Sequence, residues 1–416
     1  MLPPVLEIFV VWHPEDREGV EFATAIFRHF LEGRSFLGVI GGGINVSFRS
    51  EGWTGEGAAP RPIYTSASPA PNGIPAASFV AIVPLMGSEL SASVAIEGSP
   101  WRRYVETICD HLRSDAGSIG LFPFLLPGQA IGRTLAELLG AAQRLATGNP
   151  SANGDHLEGM LCRDLTQGIA QLVSPDEMDR LTVFLSHTKR NSEVEQKDVE
   201  ALIGLVRKII ADTRLKEYFD ANDLQPGKDW KSDLERHAAT SAMLALRTDL
   251  YSSREWCQRE VMLAKINGMP LVMVDAMNSG EERGSFLMDH VPRVAIRQTD
   301  ASWKAEDVIR ALNLLVDECL KRALWMHQKK LAIERPELQV AWWAPHAPEP
   351  ITLAHWLEGY LNTTSTQYSD GPIRILHPDP PLGPSEREAL DQFSRTSRLD
   401  NGLDIMTPRQ LATRGG

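Results

Sequence analysis

Ser252-Ser-Arg-Glu-Trp-Cys-Gln-Arg-Glu260 runs directly into the apolar-periodic stretch Val261–Ile266. Together they read as one amphipathic helix over 254–267. A short apolar run, Ala242–Arg247, precedes it, and another, Met269–Val274, follows it after Gly268. Strand, helix and strand in that order make a βαβ unit, with parallel strands and a right-handed crossover. The alternation continues on both sides, with strands at Leu181–Leu185, Leu215–Asp220 and Val294–Arg297. Helices fall over Val199–Ile210, Lys231–His237 and Ala305–Leu324. This predicts a parallel α/β domain over 179–325. Such sheets carry their sites at the carboxyl ends of the strands, where Ser186, Asp220 and Arg247 fall.

The first 147 residues alternate in the same way. Strands are predicted at Glu7–Trp12, Ile44–Phe48, Ser78–Pro84 and Ile119–Leu125. One helix carries Phe22, Ile26, Phe27 and Phe30 on a related face, and others cover Trp101–Leu112 and Gln129–Leu145. Residues 50–77 are rich in Gly, Pro, Ala and Ser and read as a long loop. Thr147–Gly154 is polar and Leu157–Val173 reads as a bridging helix, so 148–178 is expected to be a linker. Strands at Leu338–Trp343 and Pro372–Leu376, with helices at Ile351–Leu361 and Ser385–Phe393, make 326–416 a small α/β tail. Thr413-Arg-Gly-Gly416 does not read as a packed element, so a piece of a longer protein is one reading of the chain.

The composition is that of an ordinary globular protein: 416 residues, 43% apolar, 23% charged, formal charge -12. The acidic balance argues against non-specific nucleic-acid binding, which needs a basic surface. Cys109, Cys162, Cys257 and Cys319 are far apart and form no CxxC pair, so a disulfide scaffold or zinc knuckle is not expected. No apolar run reaches the roughly 18 residues of a membrane span, and the N-terminus lacks a basic leader. A cytoplasmic protein is therefore expected. Gly41-Gly-Gly43 lacks the order of a phosphate-binding loop and reads as a turn.

Three stretches, taken in order, resemble the boxes of a Toll/interleukin-1 receptor (TIR) domain. They are Val183-Phe-Leu-Ser-His187, then Phe219-Asp220 with Leu224-Gln-Pro-Gly-Lys-Asp-Trp230, then Ser253-Arg-Glu-Trp-Cys-Gln-Arg-Glu260. The resemblance spans about 180–324. It implies flavodoxin-like three-layer sandwiches with parallel sheets. It also implies one of two function classes: NAD-cleaving enzymes of bacterial defence and cell death, or non-catalytic adaptors that assemble with other proteins. In the enzymes the glutamate four residues after the tryptophan is catalytic, here Glu260. Self-association through TIR surfaces, and NAD as substrate with no further cofactor, follow from the same resemblance. The N-terminal domain is similar to a divergent TIR domain, on Phe9-Val-Val-Trp-His-Pro14, Val46-Ser-Phe-Arg49 and Trp101-Arg-Arg-Tyr-Val-Glu106. Its acid lies five residues after the tryptophan, and one extra residue turns a side chain by about 100°. Glu106 is expected to point elsewhere, with Val105 at the matching position. The tail weakly resembles segments that precede nucleotide-sensing SLOG-type domains, which implies a regulatory nucleotide signal or a sensor region.

Releasing nicotinamide from NAD expels a neutral leaving group and leaves an oxocarbenium-like cation on the ribose. One preorganised carboxylate meets that need without a second acid. Glu260 fits; a surface acid beside Arg259 and Lys265 satisfies the spacing equally. Trp256, one turn earlier on the same face, is a pocket wall or a core anchor. Cys257 shares a face with Val261 and reads as a buried small hydrophobe. Ser186, His187 and Lys189 suit ribose hydroxyls and a diphosphate, or are plain loop polarity. No triad partner is evident for Ser186 and His187, so a hydrolase triad is not expected. Arg247 reads as a phosphate clamp or as a salt-bridge partner of Asp220 or Glu260. Asp220 holds a ribose or caps its loop. The resemblance gives the loop Asn222–Trp230 a gating role, with Trp230 otherwise packing on the next helix. Tyr251 is a candidate to stack on nicotinamide or adenine.

Overall fold

In the computed structural model the chain divides into two compact units, Met1–Glu177 and Met178–Gly416. The structure describes residues 5–33, 36, 43–71, 73, 75–140, 145, 154–174, 181–188, 193–213, 215–218, 230–281, 284–299, 302–333, 338–363, 371–396 and 402–414. Among them no helix is long and apolar enough to cross a membrane. None of the four cysteines forms a disulfide.

Consecutive apolar residues in the first strand, Leu6–Val11, are the pattern of a strand covered on both faces, and all but Glu7 are buried. In the first unit β1 (Leu6–Val11) lies between β2 (Ile44–Arg49) and β3 (Phe79–Met86), all parallel. The order is β2-β1-β3-β4, with β4 at Ile119–Leu121. The strand expected over Ile119–Leu125 is broken: β5 (Phe124–Leu125) pairs separately with the end of β3. Pro123 between the two pieces has no N–H to give to the ladder. The expected linker is corrected too. The helix Gly154–Val173 packs on β3 and β4 within the first unit. Its Leu161, Leu165, Ile169 and Val173, spaced four apart, are all buried. A Cβ on Gly168 would stand 2.6 Å from the Phe122 ring, so the helix needs glycine to approach this closely.

The second unit carries the sheet β10-β9-β8-β6-β7, again all parallel. The strands are β6 (Thr182–Ser186), β7 (Lys216–Tyr218), β8 (Ala242–Arg247), β9 (Leu271–Asp275) and β10 (Arg293–Ala295). Counted within the unit this is the 2-1-3-4-5 order of flavodoxin-like folds. Helices cover both faces. Leu202, Val206 and Ile210 of the helix Glu193–Ala211 pack with Val183, Leu185, Leu244 and Leu246 on one side, where Val308 and Leu312 of Ala305–Ile333 join them. Val261 and Ala264 of the helix Glu255–Ile266 pack with Phe184, Met243, Ala245 and Met273 on the other. A short hairpin, β11 (Gln298–Thr299) with β12 (Ser302–Trp303), precedes the long helix.

The tail forms a small parallel sheet, β13 (Val340–Trp343), β14 (Ile373–Leu376) and β15 (Leu403–Met406). β15 and the helix Pro408–Arg414 were not expected from the sequence; Thr413 and Arg414 close that helix as exposed residues, and 415–416 lie outside the described residues. His377, just after β14, is fully buried. Its Nδ1 lies 2.8 Å from the Pro378 carbonyl oxygen, yet burial, with the nearby Arg387 charge, pushes the imidazole down to about 4. The unfolded chain then binds a proton that the fold does not, between pH 6.5 and 4. Stability is expected to fall by about 3 kcal/mol as pH drops through that window. Urea unfolding at pH 7 and pH 4.5 should show a drop that is smaller in His377→Gln by that amount.

Candidate functional site

Helices after β6 and β8 cover opposite faces of the sheet, so a crevice opens between the carboxyl ends of these two neighbouring strands. In open α/β sheets that switch point is where ligands bind. Ser186 is the last residue of β6, in register with Ala245 of β8. The helix Glu255–Ile266 presents Glu260 to the same spot, and the Ser186 hydroxyl donates to Glu260 Oε2 at 2.5 Å. Tyr251 Oη lies 2.6 Å from Ser186 Oγ, which orders a chain of three groups. Glu260 is 7% exposed. The surface-acid reading is therefore set aside: the carboxylate points inward, at the switch point. Thr188 and Thr248, one on each strand's outgoing loop, meet through their hydroxyls at 3.3 Å.

Other expected residues are placed differently. Tyr251 is corrected from a stacking ring to a core residue. It is fully buried, burial pushes its phenol well up, and its hydroxyl is engaged by Ser186. Among the described residues Arg247 pairs with Glu281 and Asp275 rather than with Glu260. Its Nε and Nη2 donate to the two oxygens of Glu281 at 2.9 and 2.5 Å, and its Nη1 to Asp275 at 3.3 Å. Lys265 is not a surface neighbour of Glu260 but is buried, its Nζ donating to the Asp289 carbonyl and the Glu349 carboxylate. Trp256 is half-buried at the rim of the core, with the Arg259 guanidinium 5.5 Å from its ring centre and paired beyond it with Glu235. Cys257 is buried, as its apolar neighbours imply. His187 turns Nδ1 to within 3.1 Å of the Thr188 carbonyl. Lys189 and Asp220 lie outside the described residues, as do 221–229. Trp230 begins the helix Trp230–Thr240, and its side chain lies outside the described set.

Sequence reading missed Glu281, Ser252 and Asp249. Glu281 follows β9, the neighbour of β8, so strand order was the signal that could have paired it with Arg247. Among the described residues no group of three or more His, Cys, Asp or Glu could hold a metal ion.

The matching crevice of the first unit, between β1 and β3, is filled by the chain itself. Both Asp16 carboxylate oxygens accept backbone N–H groups, from Glu89 and Leu90, each at 3.0 Å, at the start of the helix Ser88–Ala95. Trp101 packs 5.2 Å from His13, ring to ring. Val105 is buried, and Glu106 turns away to Arg102 at 3.0 Å. A Cβ on Gly87 would stand 2.2 Å from the Asp16 carboxylate. Gly87→Ala is therefore expected to evict that cap and cost about 2 kcal/mol, read as a lower thermal midpoint. A cleft of about 310 Å³ lies elsewhere in this unit, lined by Pro60, Ile63, Arg103 and Tyr104 among others.

No family model and no curated protein matches the chain. Among solved structures, the tagatose-6-phosphate ketose/aldose isomerase from Escherichia coli aligns with 78% of this chain and 84% of its own. The identity is 10% and the TM-score 0.20, so the match carries no argument.

Proposed function

We propose that the second unit is an NAD glycohydrolase that cleaves the nicotinamide–ribose bond, with Glu260 as the catalytic carboxylate. The observation that carries this reading is the Glu260 side chain itself: a buried acid at the switch point of a parallel sheet, oriented by Ser186 at the end of β6. A carboxylate held this way stabilises an oxocarbenium-like ribose without moving at the moment of bond breaking. Nicotinamide departs neutral, so no general acid is required. Ser186 fixes the carboxylate, and Tyr251 fixes Ser186. Water then completes hydrolysis at the anomeric carbon. The resemblance to TIR domains supplies the biological frame: an effector of antiphage or stress-induced cell death, working as a homo-oligomer.

A second reading, a non-catalytic TIR-like scaffold, draws on a different observation. Tyr251, Thr188 and Thr248 are buried, and Arg247 is occupied by Glu281, so these described parts of the crevice are packed. The deciding experiment incubates NAD with the full chain at high protein concentration and follows nicotinamide and the ribosyl product together. The enzyme reading expects both products. Their absence across every oligomeric state, with loop substitutions altering partner capture, would establish the scaffold.

A further inference from the structure

We infer that Arg247 and Ser252 form a subsite for a diphosphate, and that the chain's own Glu281 carboxylate occupies it at rest. The identity of the ligand rests on the NAD-cleavage reading above. Arg247 grips both oxygens of Glu281 in a fork, at 2.9 and 2.5 Å. The Ser252 hydroxyl adds a third donor at 2.5 Å. Three converging donors on two oxygens of one anion describe a receptor that phosphate oxygens fit as well as a carboxylate does.

The location suits the substrate. Side chains alternate along β8, so Arg247 shares a face with Ala245, the register partner of Ser186. It stands two residues further along, roughly 7 Å up the strand. Ser186 touches Glu260, so the guanidinium and the carboxylate sit at adjoining places along one crevice edge. A nucleotide whose ribose faces Glu260 would carry its diphosphate towards Arg247.

The occupant is carried by a loop, so its release would leave the sheet intact. Glu281 arrives on the loop after β9, outside any helix or strand. That loop is fastened by Asp249, whose carboxylate accepts the consecutive N–H groups of Asn278, Ser279 and Gly280 at 2.9, 2.9 and 3.2 Å. Gly280 turns there with φ 94, a conformation that favours glycine. When Glu281 leaves, Asp275 still orients the guanidinium through Nη1. Arg293, 3.9 Å from the other Asp275 oxygen, offsets that acid, so the vacated subsite is cationic. The same contacts would serve a simple staple between loop and strand, and that role makes the opposite prediction for anion binding.

The test titrates ADP-ribose calorimetrically into the full chain and into Glu281→Gln, Asp249→Asn and Arg247→Met/Glu281→Gln. Glu281→Gln is expected to bind about tenfold tighter than wild type, since one competing charge is gone. Arg247→Met on that background should abolish the gain. Asp249→Asn loosens the loop without touching the buried pair and should give a smaller gain in the same direction. A folded Glu281→Gln that binds ADP-ribose no tighter than wild type overturns the inference. If Glu281→Gln does not fold, no gain in Asp249→Asn does the same. The readout needs no turnover. A binding gain alongside full NAD cleavage by Glu260→Gln would keep the subsite and reject Glu260 as the catalytic group.

Discussion

Glu260→Gln is expected to lower NAD turnover by at least ~10³-fold while leaving the fold and the KM for NAD nearly unchanged. The amide keeps an oxygen that can accept from the Ser186 hydroxyl, so the chain Tyr251–Ser186–260 survives. What it removes is the negative charge facing the ribose. That charge matters little to ground-state NAD and a great deal to the cation that forms as nicotinamide leaves. The loss should therefore fall on kcat. A variant that raised KM with kcat intact would assign Glu260 to binding. One that retained full turnover would remove it from the reaction. The measurement belongs at high protein concentration, because self-association is part of the proposed activity.

How far the site was legible in the sequence varies residue by residue. The four-residue step from Trp256 to Glu260 placed both near one helix face, and the strand-end rule brought Ser186 to the same crevice. Those inferences needed only helical and sheet periodicity. The one-residue offset at Glu106 was equally readable, and the side chain does turn away to Arg102. Tyr251 was misjudged because a short 3-10 turn, Tyr251–Ser253, folds its ring into the core, and nothing in the local sequence separates that from an exposed loop. The salt-bridge partner of Arg247 was not legible because Glu281 lies 34 residues away, brought close by strand order rather than by spacing. The helix Gly154–Val173 carried a clear four-residue apolar repeat, but the polar run before it suggested a linker. β15 (Leu403–Met406) is short and only partly buried, so its apolar signal is faint.

The second large effect concerns stability. Lys265→Met is expected to destabilise the second unit by about 3–5 kcal/mol, read by urea unfolding. Lys265 lies near the end of the helix that carries Glu260, with 7% of its side chain exposed, and faces Glu349, 12% exposed. Burial pushes the ammonium pKa down, and the Glu349 carboxylate opposes that shift. The pair ties the site helix to the start of the tail helix Pro350–Thr363, where Glu349 precedes the first turn. Gly268, with φ 60, makes the adjoining contact: a Cβ there would stand 2.5 Å from Pro345. Methionine fills the space of the lysine stem but strands the Glu349 carboxylate away from water, and that uncompensated charge dominates the cost. Replacing both partners separates this cause from lost packing. Lys265→Met/Glu349→Leu should recover most of the stability, because an apolar pair of similar volume is often neutral relative to a buried ion pair. A double variant as unstable as the single one would place the cost in packing instead. The single variant should also speed hydrogen exchange over 350–363 before the sheet around β8 opens, since that helix loses its charged tie to the site.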